Sequence, residues 1–353
     1  MKPEQLDITI NNVIGFRNNK ASKGSEIGIE IEVEGRNLPG AVGGYWVIHQ
    51  DNSLRNGGQE YVLNRAITRS ELDQALNQFA EAWRAAGAVA DDSYRTSVHV
   101  HLNCRELTYR QVILNATMYG IFEDMLVQWC GPQRSGNLFC LRMIDAEYLP
   151  HTIRTSLKNE RFDVLGVDQM RYGALNMKAL YDHGSIEFRS MRGTVDVALI
   201  KRWVNILLAI RDASFKYNDP TEILADVSRL GPQGFTAKVF NYADAKEIFY
   251  SRKDFSERLY EGVRLVQDFA HAIPWPAKRD DVEVPPPKKK KSSVYYDDVE
   301  VHFNAAPEAA RPADQFFNLD FAQARAHAEL EERIRAVQNR PIGRRAVRNN
   351  EEL

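Results

Sequence analysis

The chain reads as an α+β protein, and three observations carry that expectation. Residues 26–34 alternate acidic and aliphatic side chains with the two-residue period of a strand. Further strand-like stretches are joined by short, turn-rich connections that suit antiparallel pairing. Helical periodicity fills the spaces between them and dominates after Asp196.

In the first strand Ile27, Ile29, Ile31 and Val33 point one way and Glu26, Glu30, Glu32 and Glu34 the other. Carboxylates two positions apart on one face stand about 7 Å from each other. At an effective dielectric near 20 each such pair repels by about 2 kcal/mol. Open water, basic partners or divalent cations would offset that repulsion, and the choice among them is the functional question. Residues 45–49 and 59–64 follow as short strands joined by a connection rich in Asp, Asn, Ser and Gly. Residues 70–86 form a helix, because Leu72, Ala75, Leu76, Phe79 and Trp83 recur at three-to-four spacing.

Residues 95–103 alternate again, with Val98, Val100 and Leu102 opposite His99, His101 and Asn103. Thr108 and Gln111 have the spacing of a capping box at the head of a long apolar helix reaching about Cys130. Two more strands are expected at 171–179 and 185–192, with Tyr181-Asp182-His183-Gly184 as a hairpin connection. Helices then run to about Ala272, broken at Asp219-Pro220 and Gly231-Pro232. A Pro- and Lys-rich linker with the run Lys288–Lys291 follows, then a helix from Gln315 to about Gln338 and a tail carrying Arg344, Arg345 and Arg348.

At 353 residues there is ample material for a buried core. The formal net charge of -2 and pI near 6.5 argue against a general polyanion binder, nucleic acid included, without excluding a local basic site. Cys104, Cys130 and Cys140 are odd in number and show no CxxC spacing, which suggests neither a disulfide framework nor a structural zinc site. The first residues lack the apolar stretch of a signal peptide, and no run reaches the length of a membrane helix. A soluble, cytoplasmic protein without membrane association is expected.

Four polar sets sit on strands otherwise built for a core. Gly28-x-Glu30-x-Glu32 also describes an ordinary half-exposed strand, and Asp51 with Glu60 flanks common turn chemistry. The pair His99 and His101 can ligate a metal, meet a phosphate or make surface hydrogen bonds. A zinc hydrolase is the rival there, although the residues that follow lack a nearby Asp and His. Glu187 and Arg189 share a strand face, as a structural ion pair would; Arg142, Arg171 and Lys178 are further basic candidates. If these strands joined one antiparallel sheet, the carboxylates would converge on a face suited to Mg²⁺, a hard cation with oxygen ligands. Such ions neutralise nucleotide phosphates, and arginine beside them can clamp a phosphate or carboxylate.

The order Gly28-Ile29-Glu30-Ile31-Glu32, Asp51-x-Ser53 with Glu60, Val98-His99-Val100-His101 and Gly184-Ser185-Ile186-Glu187-Phe188-Arg189 resembles the putative amidoligase family. These are carboxylate–amine ligases of the glutamate–cysteine ligase and glutamine synthetase-like superfamily. The resemblance covers roughly residues 24–272. It implies a curved, mainly antiparallel sheet cradling ATP and Mg²⁺, with helices on its outer side, in a catalytic domain over residues 1–275. The linker at 276–312 and the C-terminal helix and tail at 313–353 fall outside it.

By the same resemblance Glu30, Glu32, Glu60 and Glu187, with Asp51 less firmly placed, are metal ligands. His99 contacts nucleotide phosphate or the activated carboxylate, and Arg189 stabilises charge on the transferring phosphoryl group. Arg171 is a further catalytic contact to substrate or phosphate, less firmly anchored to a motif, and His101 and Arg192 are expected to complete the nucleotide site. Glu26 and Glu34 are expected to be solvated rim residues. The implied activity joins a small-molecule or peptide carboxylate to an amine through an acyl phosphate. The family is common in phages and peptide-modification gene sets, which implies a modifying role, in the host cytoplasm if the chain is phage-encoded. Two other classes stay open: a metal-dependent hydrolase using His99 and His101, and a non-catalytic ligase-fold module whose lysine run and last helix tether an acidic protein partner.

Overall fold

The computed structural model describes residues 3–14, 25–55 and 57–277. The lysine run, nearly all of the expected linker and the whole C-terminal helix and tail lie outside the described residues.

Among the described residues six strands form one open sheet: β1 (Ile27–Val33), β2 (Trp46–His49), β3 (Gln59–Leu63), β4 (Ser97–Asn103), β5 (Leu175–Asn176) and β6 (Ser185–Arg192). Their spatial order is β2-β3-β1-β4-β6-β5, and every neighbouring pair is antiparallel. The α+β class and the antiparallel sheet therefore stand as expected. The principal helices are α1 (Leu72–Ala85), α2 (Tyr109–Cys130), α3 (Tyr148–Lys158), α4 (Val197–Ser214), α5 (Pro220–Val239) and α6 (Phe255–Ala270).

The two-residue alternation explains why one face of this sheet is core. Ile27, Ile29 and Ile31 of β1, Val98, Val100 and Leu102 of β4, and Ile186 and Phe188 of β6 are all buried. Helix α2 packs against β6: the Tyr119 and Phe188 rings meet edge to face at 5.0 Å, and the Tyr119 hydroxyl pairs with Ser190 Oγ at 2.8 Å. Helix α1 closes the other end of this face, with Phe79 against Trp46 at 5.5 Å and Tyr61 at 5.3 Å. The five apolar residues whose spacing predicted α1 are the ones it buries. The capping box forms at the head of α2, where Thr108 Oγ1 accepts from the Gln111 amide at 3.2 Å and Gln111 Oε1 accepts from the Thr108 amide at 2.9 Å. The expected break in α5 occurs at Gly231, whose φ of 68° is a left-handed conformation open to glycine ahead of Pro232.

The structure departs from expectation before β6. Only Leu175 and Asn176 pair as a strand, while Asp168–Tyr172 coil into a 3-10 turn and Ala179–Asp182 into a helical turn. Asn176 Oδ1 accepts from the Lys178 amide at 2.9 Å, a local bond that competes with the ladder and ends the strand. The hairpin between β5 and β6 is real, but its connection is helical rather than tight. No helix among the described residues is long and apolar enough to cross a membrane.

Candidate metal and phosphate site

The sheet register brings the polar sets together. Glu60 of β3 lies directly across from Glu32 of β1, Glu30 pairs with His99 of β4, Gly28 with His101, and His101 with Glu187 of β6. Directly opposed residues share a face, so all of these side chains stand on the side away from the helices. Gly28 has a steric reason to be glycine: a Cβ there would lie 3.2 Å from His101 Cβ. Its bare backbone gives the imidazole of His101 its place between two carboxylate-bearing strands.

His99 is the hub. Its Nδ1 lies 3.0 Å from Glu30 Oε2 and 3.2 Å from Glu187 Oε1, and its Nε2 lies 2.7 Å from Ser97 Oγ. Ser97 has one hydroxyl hydrogen, and at 2.5 Å from Glu32 Oε2 that hydrogen is donated to the carboxylate. On the far side, His101 Nε2 approaches Glu30 Oε1 at 3.2 Å while Nδ1 meets Ser185 Oγ at 3.0 Å. Glu187 is gripped from two more directions, by Arg189 Nη1 and Asn176 Nδ2, each at 2.6 Å.

Charge follows from this crowding. Burial pushes the Glu30 carboxyl toward its neutral form, but hydrogen bonds from His101 and His99 prevail and hold it well below the usual carboxylate range. Glu187 behaves alike: burial opposes its charge, and Arg189, His101 and His99 together lower it. His101 is raised because Glu30 and Glu187 outweigh the burial that opposes its charge. Glu60 goes the other way, to about 7, through burial and through the negative charges of Glu30 and Glu32. It makes no side-chain hydrogen bond or ion pair among the described residues. The repulsion expected from the strand pattern therefore falls chiefly on Glu60.

The remaining candidates are placed differently. Asp51 folds back on its own turn, with Oδ1 accepting from the Ser53 amide and Oδ2 from its hydroxyl, both at 2.8 Å. It still adds a small negative field at Glu60. Arg171 is exposed on the 3-10 turn, its guanidinium 5.0 Å above the Tyr172 ring and outside the hydrogen-bonded cluster. Arg192 turns to the end of α2, donating to the Cys130 carbonyl at 2.8 Å. Glu34 is not a solvated rim residue: it is buried and accepts from the Arg55 amide at 2.7 Å, because a loop folds over the end of β1. Glu26 is half-buried and accepts from Asn103 Nδ2 at 2.8 Å.

Sequence reasoning gave no role to Ser97, Asn176 and Ser185, whose side chains hold the cluster. Their strand parity with His99 and Glu187 was the available signal. It also missed Arg134, which is fully buried outside the sheet. The pairing of β4 with β6 slips between Val98 and Val100, so that two residues of β6 oppose His99. Arg134 pins this bulge, donating to the carbonyls of Arg189 at 2.7 Å, Ser190 at 3.2 Å and Thr96 at 3.4 Å.

Glu30, His101 and Glu187 each offer one ligand atom, and these atoms lie within 4.8 Å of one another, a spacing one divalent cation can span. With an excess of carboxylates over basic partners on a shared face, the donor chemistry fits a cation. A family model described as "Putative amidoligase enzyme" matches residues 67–211. The match takes in α1, β4, α2, α3, β5, β6 and most of α4, hence His99, His101, Glu187 and Arg189, while Glu30, Glu32 and Glu60 precede it. Among curated proteins no match is found.

Proposed function

We propose that this chain is an ATP-dependent carboxylate–amine ligase whose reaction takes place on the acidic face of the sheet. The family match supports an enzyme of the ligase class. The observation that carries the finer reading is the convergence of Glu30, Glu32, Glu60 and Glu187 from β1, β3 and β6 around His99.

In this reading a substrate carboxylate oxygen attacks the γ-phosphorus of ATP as the bond to ADP breaks. The amine nitrogen then attacks the acyl carbon, the carbon–oxygen bond to phosphate breaks, and the amine gives up a proton. Bound Mg²⁺ supplies charge neutralisation for the polyphosphate. Glu30, Glu187 and His101 would hold one such ion; Glu32 and Glu60, across from each other on β1 and β3, are donors for another. Arg189 is positioned by Glu187 and the pinned bulge to stabilise charge on the transferring phosphoryl group. His99, in contact with Glu30 of β1 and Glu187 of β6, keeps these carboxylates in register. Little covalent chemistry is asked of the protein, whose contribution is positioning and electrostatics.

The test is release of ADP and phosphate from Mg²⁺-ATP across pooled carboxylates and amines, with mass analysis for an amide. Glu30→Gln and Glu187→Gln should abolish both. Full activity in both variants removes the metal assignment. One observation favours a second reading: the mixed nitrogen and oxygen set of Glu30, His101 and Glu187 also suits a transition metal, as in a metal-dependent hydrolase. Hydrolytic activity with zinc and without nucleotide would select it.

A further inference from the structure

The acidic face has a basic counterpart at one end. Just before β4, Tyr94 is half exposed, at 50%. The guanidinium carbons of Arg55 and Arg95 lie 5.8 and 5.5 Å from its ring centroid. Arg55 Nη2 donates to the Tyr94 hydroxyl at 3.1 Å, and Arg95 Nη1 to the Ser53 carbonyl at 3.1 Å. Asn137 Nδ2 fastens the loop through the Tyr94 carbonyl at 2.9 Å. Neither arginine has a carboxylate within ion-pair distance among the described residues, and Arg95 Nε is buried without a partner.

This arrangement sits beside the carboxylates. Arg95 lies in the turn two residues before Ser97, hence within about 7 Å of it along the chain, and Ser97 donates to Glu32. The Arg55 amide donates to Glu34, which stands just past the end of β1, two residues beyond Glu32. Two guanidiniums held near one ring repel each other as the glutamates do, and the opposite kind of ligand relieves them. Delocalised, weakly hydrated guanidiniums with free N–H groups match phosphate oxygens.

We propose that Arg55, Arg95 and Tyr94 form the polyphosphate rim of the site, taking phosphate oxygens of a nucleoside triphosphate whose cations sit on the neighbouring glutamates. This rests on the ligase reading for the identity of the ligand, and it gives the site a direction: the triphosphate enters from the Glu34 end of β1. The Gly28 end, near His101 and Ser185, is left for the carboxylate and amine.

The experiment is calorimetric titration of the full chain with Mg²⁺ plus either inorganic tripolyphosphate or a non-hydrolysable ATP analogue. Mn²⁺ binding by electron paramagnetic resonance reports separately on the carboxylates. Arg55→Gln and Arg95→Gln should each weaken both anions about tenfold, and the double variant about a hundredfold, with Mn²⁺ binding unchanged. Arg55 is exposed, so its single variant remains informative if the Arg95 variant folds poorly. Wild-type affinity for both anions in the Arg55 variant, or in a folded double variant, overturns the rim, as does a wild-type chain that binds neither. If the rim falls while amide formation proceeds, the ligase reading survives. Arginine-dependent tripolyphosphate binding with no nucleotide turnover in any substrate pool would instead leave the rim and sink the ligase reading.

Discussion

Two carboxylate-rich clusters in this protein are built on opposite principles. Around the outer end of α2, Asp124 is paired with Arg142 and, at 2.5 Å, with Arg258. Arg142 also holds Asp145 at 2.7 Å, and Asp254 is shared by Arg258 and Arg252. Asp124, Asp145 and Asp254 each have a guanidinium. On the sheet, Glu30, Glu32, Glu60 and Glu187 share Arg189 and two imidazoles, and Glu60 has no partner of its own. The consequences are opposite in sign. Hydrogen bonds from Arg258 and Arg252 lower Asp254, whereas Glu60 is raised to about 7. A balanced cluster fastens helices together; an unbalanced one is held in place by the fold and completed by something else.

The contrast breaks most visibly in activity. Glu187→Gln and Glu30→Gln should each lower ADP formation and Mn²⁺ affinity by about a hundredfold or more, while Asp124→Asn leaves both within about twofold. A cation-insensitive Glu30 variant with full turnover would end the distinction. Next in size is thermal stability. Mg²⁺ at about a hundred times its dissociation constant should contribute about 2.7 kcal/mol, a rise of several degrees in Tm. The shift should be reversed by a chelator and absent in Glu30→Gln. An equal shift in that variant would place the cation elsewhere.

Asp124→Asn sharpens the same comparison from the other side. Its carboxylate is 15% exposed and joins two guanidiniums, so its loss should lower stability by about 1–3 kcal/mol in denaturant titration. The cation response should persist unchanged. The smallest effect is on pH. Glu60 is raised from its ordinary 4.5 to about 7, so between those values the native state holds more proton than the unfolded chain. Stability contributed by protonated Glu60 is therefore lost as pH rises through that window. Melting curves of the metal-free protein should show this decline, and Glu60→Gln should flatten it. Saturating Mg²⁺ should flatten it too, by supplying the opposing charge.

Much of the fold was legible because it rests on local period. The alternations in β1, β4 and β6, the α1 stripe and the Thr108–Gln111 cap are each written within a few residues. Register was the larger inference, and the converging glutamates depended on it. What escaped was set by tertiary contact. Glu34 looked like a strand end in water, and only the loop carrying Arg55 buries it. Residues 171–179 alternate like a strand, but the Asn176 side chain closes a turn that no periodicity shows. Arg134 belongs to a stretch with no clear period, and its three carbonyl partners come from β6 and the approach to β4.

That arginine ties the site's fate to a distant piece of chain. A guanidinium sealed from water cannot leave three carbonyls one at a time without stranding its charge. The β4 and β6 amides around the bulge should therefore exchange with solvent in step with those of residues 131–140, through one shared opening. On warming, such a site is lost abruptly as a unit and does not loosen by degrees.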